Sequence, residues 1–286
     1  MNREETNIVK CEEGYRLERQ GQSVAKITTY RNPYHLQNCY LKFDQAELTA
    51  WEKACQAQHE QHAQHEGEEL FDLFRYIATA ENSPLQVMLS SREKEKAEFL
   101  AAHGFKKLRM CYEVSVKQSD LKPEVICRSE RTGGTGRTRE TGRNERTEGE
   151  CVSIKRAIAG EAAYAACGEL LYEYYRATHA PISPLTVSLE QFLEDLPIEV
   201  FYSGTNGQVS QAAFVEENEI AYVCSRDMDK FTAFAQNVVD KLFKRYQSIF
   251  FEADDVDPAG MALKGLFAVA EQETFDTWVY RVAKLN

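Results

Sequence analysis

The run Glu252-Ala-Asp-Asp-Val-Asp257 places four carboxylates within six residues. Such a run can draw an ammonium group by its field and take a proton from it. The same residues also suit the solvent-facing start of a helix. Asp257-Pro258 joins a residue suited to the N-cap with one suited to the first helical position. Calcium is disfavoured, because Asp254, Asp255 and Asp257 lack the spacing and glycine of a known calcium loop. A second candidate carboxylate is Glu219, and Arg226 follows it in Ser225-Arg-Asp-Met-Asp-Lys-Phe231. There Asp227 and Asp229 suit a helix N-terminus in their own right.

Metal chemistry finds little support. His59, His62 and His65 are spaced i, i+3, i+6. On a helix the first and third diverge by about 240°, so one ion cannot take all three. The eight cysteines contain no C-x-x-C pair, which leaves reduced thiols and no zinc knuckle or redox motif. No metal site is expected.

The elements that must position these residues follow from periodicity. In the first half, Tyr15–Glu18 and Val24–Tyr30 read as strands around a Gln20-Gly21 turn, and Cys39–Phe43 as a third. Helical patterns start at Glu47 and run from Glu68 to Ala78. Leu85–Leu89 is a short apolar strand, Arg92–His103 a helix ended by Gly104, and Lys106–Val116 an alternating strand. In the second half, Ala163–Arg176 is an amphipathic helix, and Ser188-Leu-Glu-Gln191 is a capping box. Strands Glu199–Tyr202 and Val209–Glu216 flank Thr205-Asn206-Gly207, a strong hairpin signal. Glu219–Cys224, the helix Phe231–Tyr246, Ser248–Phe251, a helix from Pro258 and the strand Thr277–Val282 complete the order.

Both halves therefore read as a three-strand meander, then helix, strand, helix, strand. That order predicts an α+β fold, with mixed sheets carrying helices on their faces. Between the halves, Arg128–Glu150 has 23 residues and no apolar side chain, so burial cannot repay its ordering. The expected division is a domain over 1–117, a flexible polar linker over 118–150 and a domain over 151–286. Ala54–Glu69 reads as a second, solvated helical insert.

The formal charge is −11, distributed as −2, 0 and −9 over these three segments. An acidic second half repels phosphates and attracts cations, which disfavours nucleic acid as a partner. No run of about 18 apolar residues exists, so no membrane span is expected. The N-terminus lacks the apolar core of a signal peptide. The chain is predicted to be soluble and cytoplasmic.

The chain resembles the GCN5-related N-acetyltransferase (GNAT) family, as two domains in tandem. Strand, helix, Phe99-Leu100 and Gly104-Phe105 before the next strand look like the family's C-terminal motif, within Leu85–Val116. Asn218–Cys224, Ser248–Asp255 and Glu273–Arg281 look similar to its central and last strands. The resemblance implies acetyl-CoA as co-substrate and an amine as acceptor, with the second half as the active one. It implies Glu219 or Glu252 as base, and Cys224, Ser225 and Arg226 near the cofactor. Asp254 and Tyr175 fall where the acceptor is bound. Tyr164, Tyr172, Tyr174 and His179 share that region, and as helix-face aromatics they also suit a core.

Two family features are missing. The phosphate-holding loop R/Q-x-x-G-x-G/A needs glycines after the fourth strand, and none occurs from Gln22 to Glu66 or from Gln208 to Ala259. Arg131-Thr-Gly-Gly-Thr-Gly136 matches in letters only, because it follows no strand and precedes no apolar helix. The family's usual tyrosine acid is also missing. Leu100 stands at its place in the first half, and no tyrosine occurs from Glu252 to Thr277. These gaps support an alternative, a catalytically inactive protein that uses the same fold for binding or dimerisation.

Overall fold

The computed structural model describes residues 6–62, 72–123, 152–205, 207–269 and 272–282. They form two compact units, each drawing on both halves of the sequence. Unit 1 holds Met1–Met110, Ala180–Val187 and Phe275–Asn286; unit 2 holds Cys111–His179 and Ser188–Thr274. Both are mixed sheets with helices on their faces, the class predicted.

Unit 1 begins with an antiparallel meander of β1 (Thr6–Cys11), β2 (Gly14–Arg19), β3 (Gln22–Tyr30) and β4 (Cys39–Phe43). The β2–β3 turn is the expected Gln20-Gly21, with positive φ at both residues, the type I′ geometry that matches strand twist. Helices α1 (Gln45–His62) and α2 (Leu73–Glu81) lead to β5 (Leu85–Ser90), which lies parallel to β4. Next comes α3 (Lys94–Ala102), followed by Gly104 at φ +80°, the left-handed position read from the sequence. Tyr15, Leu17, Ile27, Trp51, Phe74 and Leu100 are buried together in this unit's core.

In unit 2 the sheet contains β7 (Lys155–Ile158), β8 (Glu199–Thr205), β9 (Gln208–Glu216) and β10 (Glu219–Ser225), antiparallel in turn. β11 (Ser248–Asp254) lies parallel to β10. Helices α4 (Ala162–His179) and α5 (Leu189–Glu194) precede β8; α6 (Met228–Phe243) and α7 (Pro258–Lys264) flank β11. The spacing of Phe231, Phe234, Val238 and Leu242 turns one face of α6 inward, where all four are buried with Ile220, Phe251 and Leu263. α4 covers the other face, where Tyr164 meets Phe214 edge-on at 5.5 Å. Both expected caps form. Ser188 and Gln191 complete a capping box on α5, and Asp257 caps α7 with Pro258 next to it.

Two expectations change. Each meander has four strands, not three, because β1 and β7 lie at sheet edges. The short sequence Lys-Arg-Ala-Ile of β7 carries no alternation strong enough to announce a strand. The closing strands are also exchanged between the halves. β6 (Lys106–Lys117) pairs antiparallel with β11 from Cys111↔Asp254 to Lys117↔Ser248. β12 (Glu273–Tyr280) pairs antiparallel with β5 of unit 1. Order also continues past 117: Leu121 is buried and bridges to Phe267. The central linker residues, the Arg131–Gly136 motif, Asn206 and the His59, His62 and His65 side chains lie outside the described residues.

Val114 and Val116 of β6 are fully buried in the unit 2 core, and each such side chain contributes about 1.5–3 kcal/mol. Residues 151–286 produced alone should therefore show no cooperative thermal transition by circular dichroism, whereas residues 106–274 should show one. Equal cooperativity would contradict the strand exchange.

Candidate functional site

The site is organised by the parallel pair β10–β11. Its ladder comprises Glu219↔Phe250 and Ile220↔Phe251, and the register of β10 shifts between Ile220 and Tyr222. Beyond that point each strand follows its outer neighbour. Tyr222 to Ser225 pair with β9, and Glu252 to Asp254 pair with β6. The strands thus part, and each is held away from the other by an antiparallel ladder. The inner edge of β10 offers backbone groups to which an extended amide chain can add as a strand does.

Alternation assigns the two faces of this opening. Ile220, Val223, Phe251 and Ala253 turn into the α6–α7 core. Glu219, Tyr222 and Glu252 share the opposite face, with Glu113 of β6 directly across from Glu252. Cys111 reaches Glu252 Oε2 with its thiol at 3.7 Å. Glu252 is exposed, yet the protein packed around it raises its carboxyl above the ordinary value, and Asp254, Glu113 and Glu219 add to the rise. Burial also raises Glu219, helped by Glu216. The Tyr222 phenol is raised by burial and by the nearby charges of Glu252, Glu219 and Asp195.

An aromatic wall adjoins these acids. The Tyr222 and Phe192 rings lie 6.4 Å apart, and Phe192 also meets Tyr172 and Tyr175. Tyr175 stacks on His179 at 3.9 Å with planes 8° apart. His179 is buried, and its Nε2 stands 3.2 Å from Asp254 Oδ2. Carboxylates beside aromatic faces suit an ammonium group, which both attract.

The expected cofactor residues are placed differently from one another. The Cys224 side chain is sealed in the interior, its thiol pushed up by burial, so only its backbone can meet a ligand. Ser225 Oγ donates to Asp227 O at 2.8 Å and accepts from Asp227 N. Asp227 caps α6 by accepting from Asp229 N at 3.2 Å. Arg226 is exposed beside this turn and pairs with Glu173 at 3.1 Å. These residues fit an acyl-CoA ligand at two points, the free strand edge and an exposed surface guanidinium. They form no glycine cradle for a pyrophosphate.

Glu113 escaped the sequence reading, and Tyr174, named there only as a helix-face aromatic, has a partner that reading did not foresee. Glu113 arrives through the exchanged strand, a long-range pairing that local pattern cannot reveal. Tyr174 of α4 donates from its hydroxyl to Asp257 Oδ1 and accepts from Ala259 N at 3.1 Å. It thereby reaches the start of α7, a helix packed against both parting strands. Burial and Asp257 push the Tyr174 phenol strongly up, and burial raises Asp257 as well.

No family description and no curated protein sequence matches the chain. Among solved structures it is similar to a GCN5-related N-acetyltransferase from Sphaerobacter thermophilus, at 11% identity over 93% of this chain and 79% of that one, with a TM-score of 0.47. A GCN5-related N-acetyltransferase from Kribbella flavida shares 13% identity over 92% of this chain and 90% of its own, at a TM-score of 0.43. A tandem GNAT protein from the clavulanic acid biosynthesis pathway shares 8% identity over 93% and 81%, also at 0.43.

A carboxyl whose folded pKa exceeds its unfolded value makes folding less favourable once both states are ionised. Glu252→Gln removes that cost. It should raise the melting temperature at pH above the raised pKa, and the gain should shrink to nothing as pH falls through the range down to the ordinary 4.5. Thermal unfolding across pH reads this directly. A gain independent of pH would contradict the raised pKa.

Proposed function

We propose that unit 2 is an acetyl-CoA-dependent N-acetyltransferase acting on an amine acceptor, as the family resemblance in the sequence implies. The observation that carries this reading is a raised-pKa carboxylate, Glu252, at the mouth of a parting parallel strand pair. An acyl-CoA supplies an activated thioester carbonyl. The inner edge of β10 orients the extended chain bearing it, and Arg226 meets its phosphates. Glu219, Glu113 and Asp254 concentrate an ammonium acceptor against the aromatic wall. Glu252 takes the proton from that ammonium, directly or through one water, which leaves the nitrogen lone pair free to attack. A base with a pKa nearer neutrality holds that proton better than an ordinary carboxylate does.

A second reading is favoured by two contacts. Asp227 occupies the α6 N-terminus with its own side chain, and Tyr174 ties α4 to the start of α7. Both are what a protein that binds without chemistry would keep.

Thiol release from acetyl-CoA, followed over a panel of mono-, di- and polyamines, separates the two. The catalytic reading expects turnover that rises with pH through the raised Glu252 pKa, since only the ionised carboxylate accepts a proton. Glu252→Gln should lower kcat by about 10²–10⁴-fold, the usual contribution of a general base. Arg226→Glu should weaken acetyl-CoA binding by about tenfold, or roughly 1.4 kcal/mol, with little effect on kcat. No turnover with any amine, alongside calorimetric binding of acetyl-CoA, supports the binding reading.

A further inference from the structure

Unit 1 contains a cavity of about 480 Å³ that takes no part in the chemistry above. It sits at the N-terminal ends of β4 and β5, where Asn38 and Pro84 precede the two strands, opposite the ends that in unit 2 form the site. Arg31, Asn38, Asn82, Pro184 and Arg281 are among its walls. All belong to unit 1, because Ala180–Val187 and the C-terminal strand region fold with it. No carboxylate lines it among the described residues.

The polar groups on its walls are held in place. Arg31 donates from Nη1 to Leu36 O at 3.1 Å and Ser83 Oγ at 2.7 Å, and from Nη2 to Glu81 O at 3.0 Å. Its one acidic partner among the described residues is Glu81, at 3.4 Å, a carboxylate shared with Lys10 and the Tyr15 hydroxyl. Arg281 donates only to the backbone carbonyl of Pro181 and makes no ion pair among the described residues. It therefore keeps uncommitted donors and an unbalanced charge.

Asn38 is the second, independent sign of a ligand. Its side chain is 1% exposed. Nδ2 donates to Gln86 Oε1 at 2.7 Å and to Ile182 O at 2.8 Å. A backbone carbonyl only accepts, so this bond fixes which end of the amide is nitrogen. The opposite atom, Oδ1, accepts nothing among the described residues. That oxygen is free to accept, and Asn38 lines a cavity that also presents guanidinium donors.

We propose that this cavity binds a small carboxylic acid bearing a hydroxyl or ammonium group next to its carboxylate. The Arg281 fork receives the carboxylate, as guanidinium geometry favours. Asn38 Oδ1 accepts from the neighbouring donor, and Leu36, Pro84 and Pro184 contact the short hydrocarbon body. The assignment is independent of acyl transfer in unit 2.

Thermal unfolding of the full chain tests it, with L-lactate, L-serine and propionate as probes. A ligand of the folded state raises the melting temperature in a dose-dependent way. L-Lactate or L-serine should do so below about 10 mM, and propionate, which lacks the donor, should bind about tenfold more weakly. Arg281→Met, at an exposed position, should keep the unliganded melting temperature and weaken binding at least tenfold. The proposal is overturned if neither acid shifts the transition, if propionate matches them, or if the Arg281→Met protein responds as the original does.

Discussion

The structure of unit 2 depends on a parallel ladder that stops after two pairs. β10 and β11 meet at Glu219↔Phe250 and Ile220↔Phe251 and then separate. Such a gap closes unless something outside holds it open, because unpaired backbone groups seek partners. The antiparallel ladders to β9 and β6 supply that hold. The strand exchange is therefore part of the site. Without β6, β11 would present an open edge, and Glu113 would not face Glu252.

The electrostatics follow from the same arrangement. Strand pairing brings Glu219, Glu252 and Glu113 to one face, where like charges oppose each other. Glu252 shows it: its carboxyl is raised first by the protein packed around it and then by Asp254, Glu113 and Glu219. Natural proteins keep such a cost where it serves a purpose, and a cationic ligand relieves it. At the far end, Tyr174 and Asp257 share a proton-bearing contact at the first turn of α7. That contact fixes where α4 stands relative to both strands.

Much of this was legible in the sequence. The Gln20-Gly21 turn, the Gly104 cap, the Ser188–Gln191 box and the Asp257-Pro258 start are local signals with local causes, and each formed as read. Glu219, Glu252, Asp254 and Tyr175 were named through the family resemblance, and their roles are those proposed above. The edge strands β1 and β7 were missed, since half-exposed short strands lack a strong alternating pattern. The destinations of β6 and β12 were illegible for another reason. An alternating strand fits either parallel neighbour equally well in pattern, and only packing chooses between them. Glu113 was missed with it, and Tyr174, named as a helix-face aromatic, was not read as a partner of Asp257, because both contacts exist only after long-range packing. Cys224 shows the reverse case, a residue named for the cofactor through the resemblance whose side chain faces the interior.

The central claim is that the inner edge of β10 receives an acyl-CoA. Amide hydrogen exchange on the full chain, with and without acetyl-CoA, tests it most directly. The account expects slowed exchange at the amides between Ala221 and Ser225 that do not pair with β9, together with protection near Arg226. Unchanged exchange across this strand at saturating acetyl-CoA would contradict it.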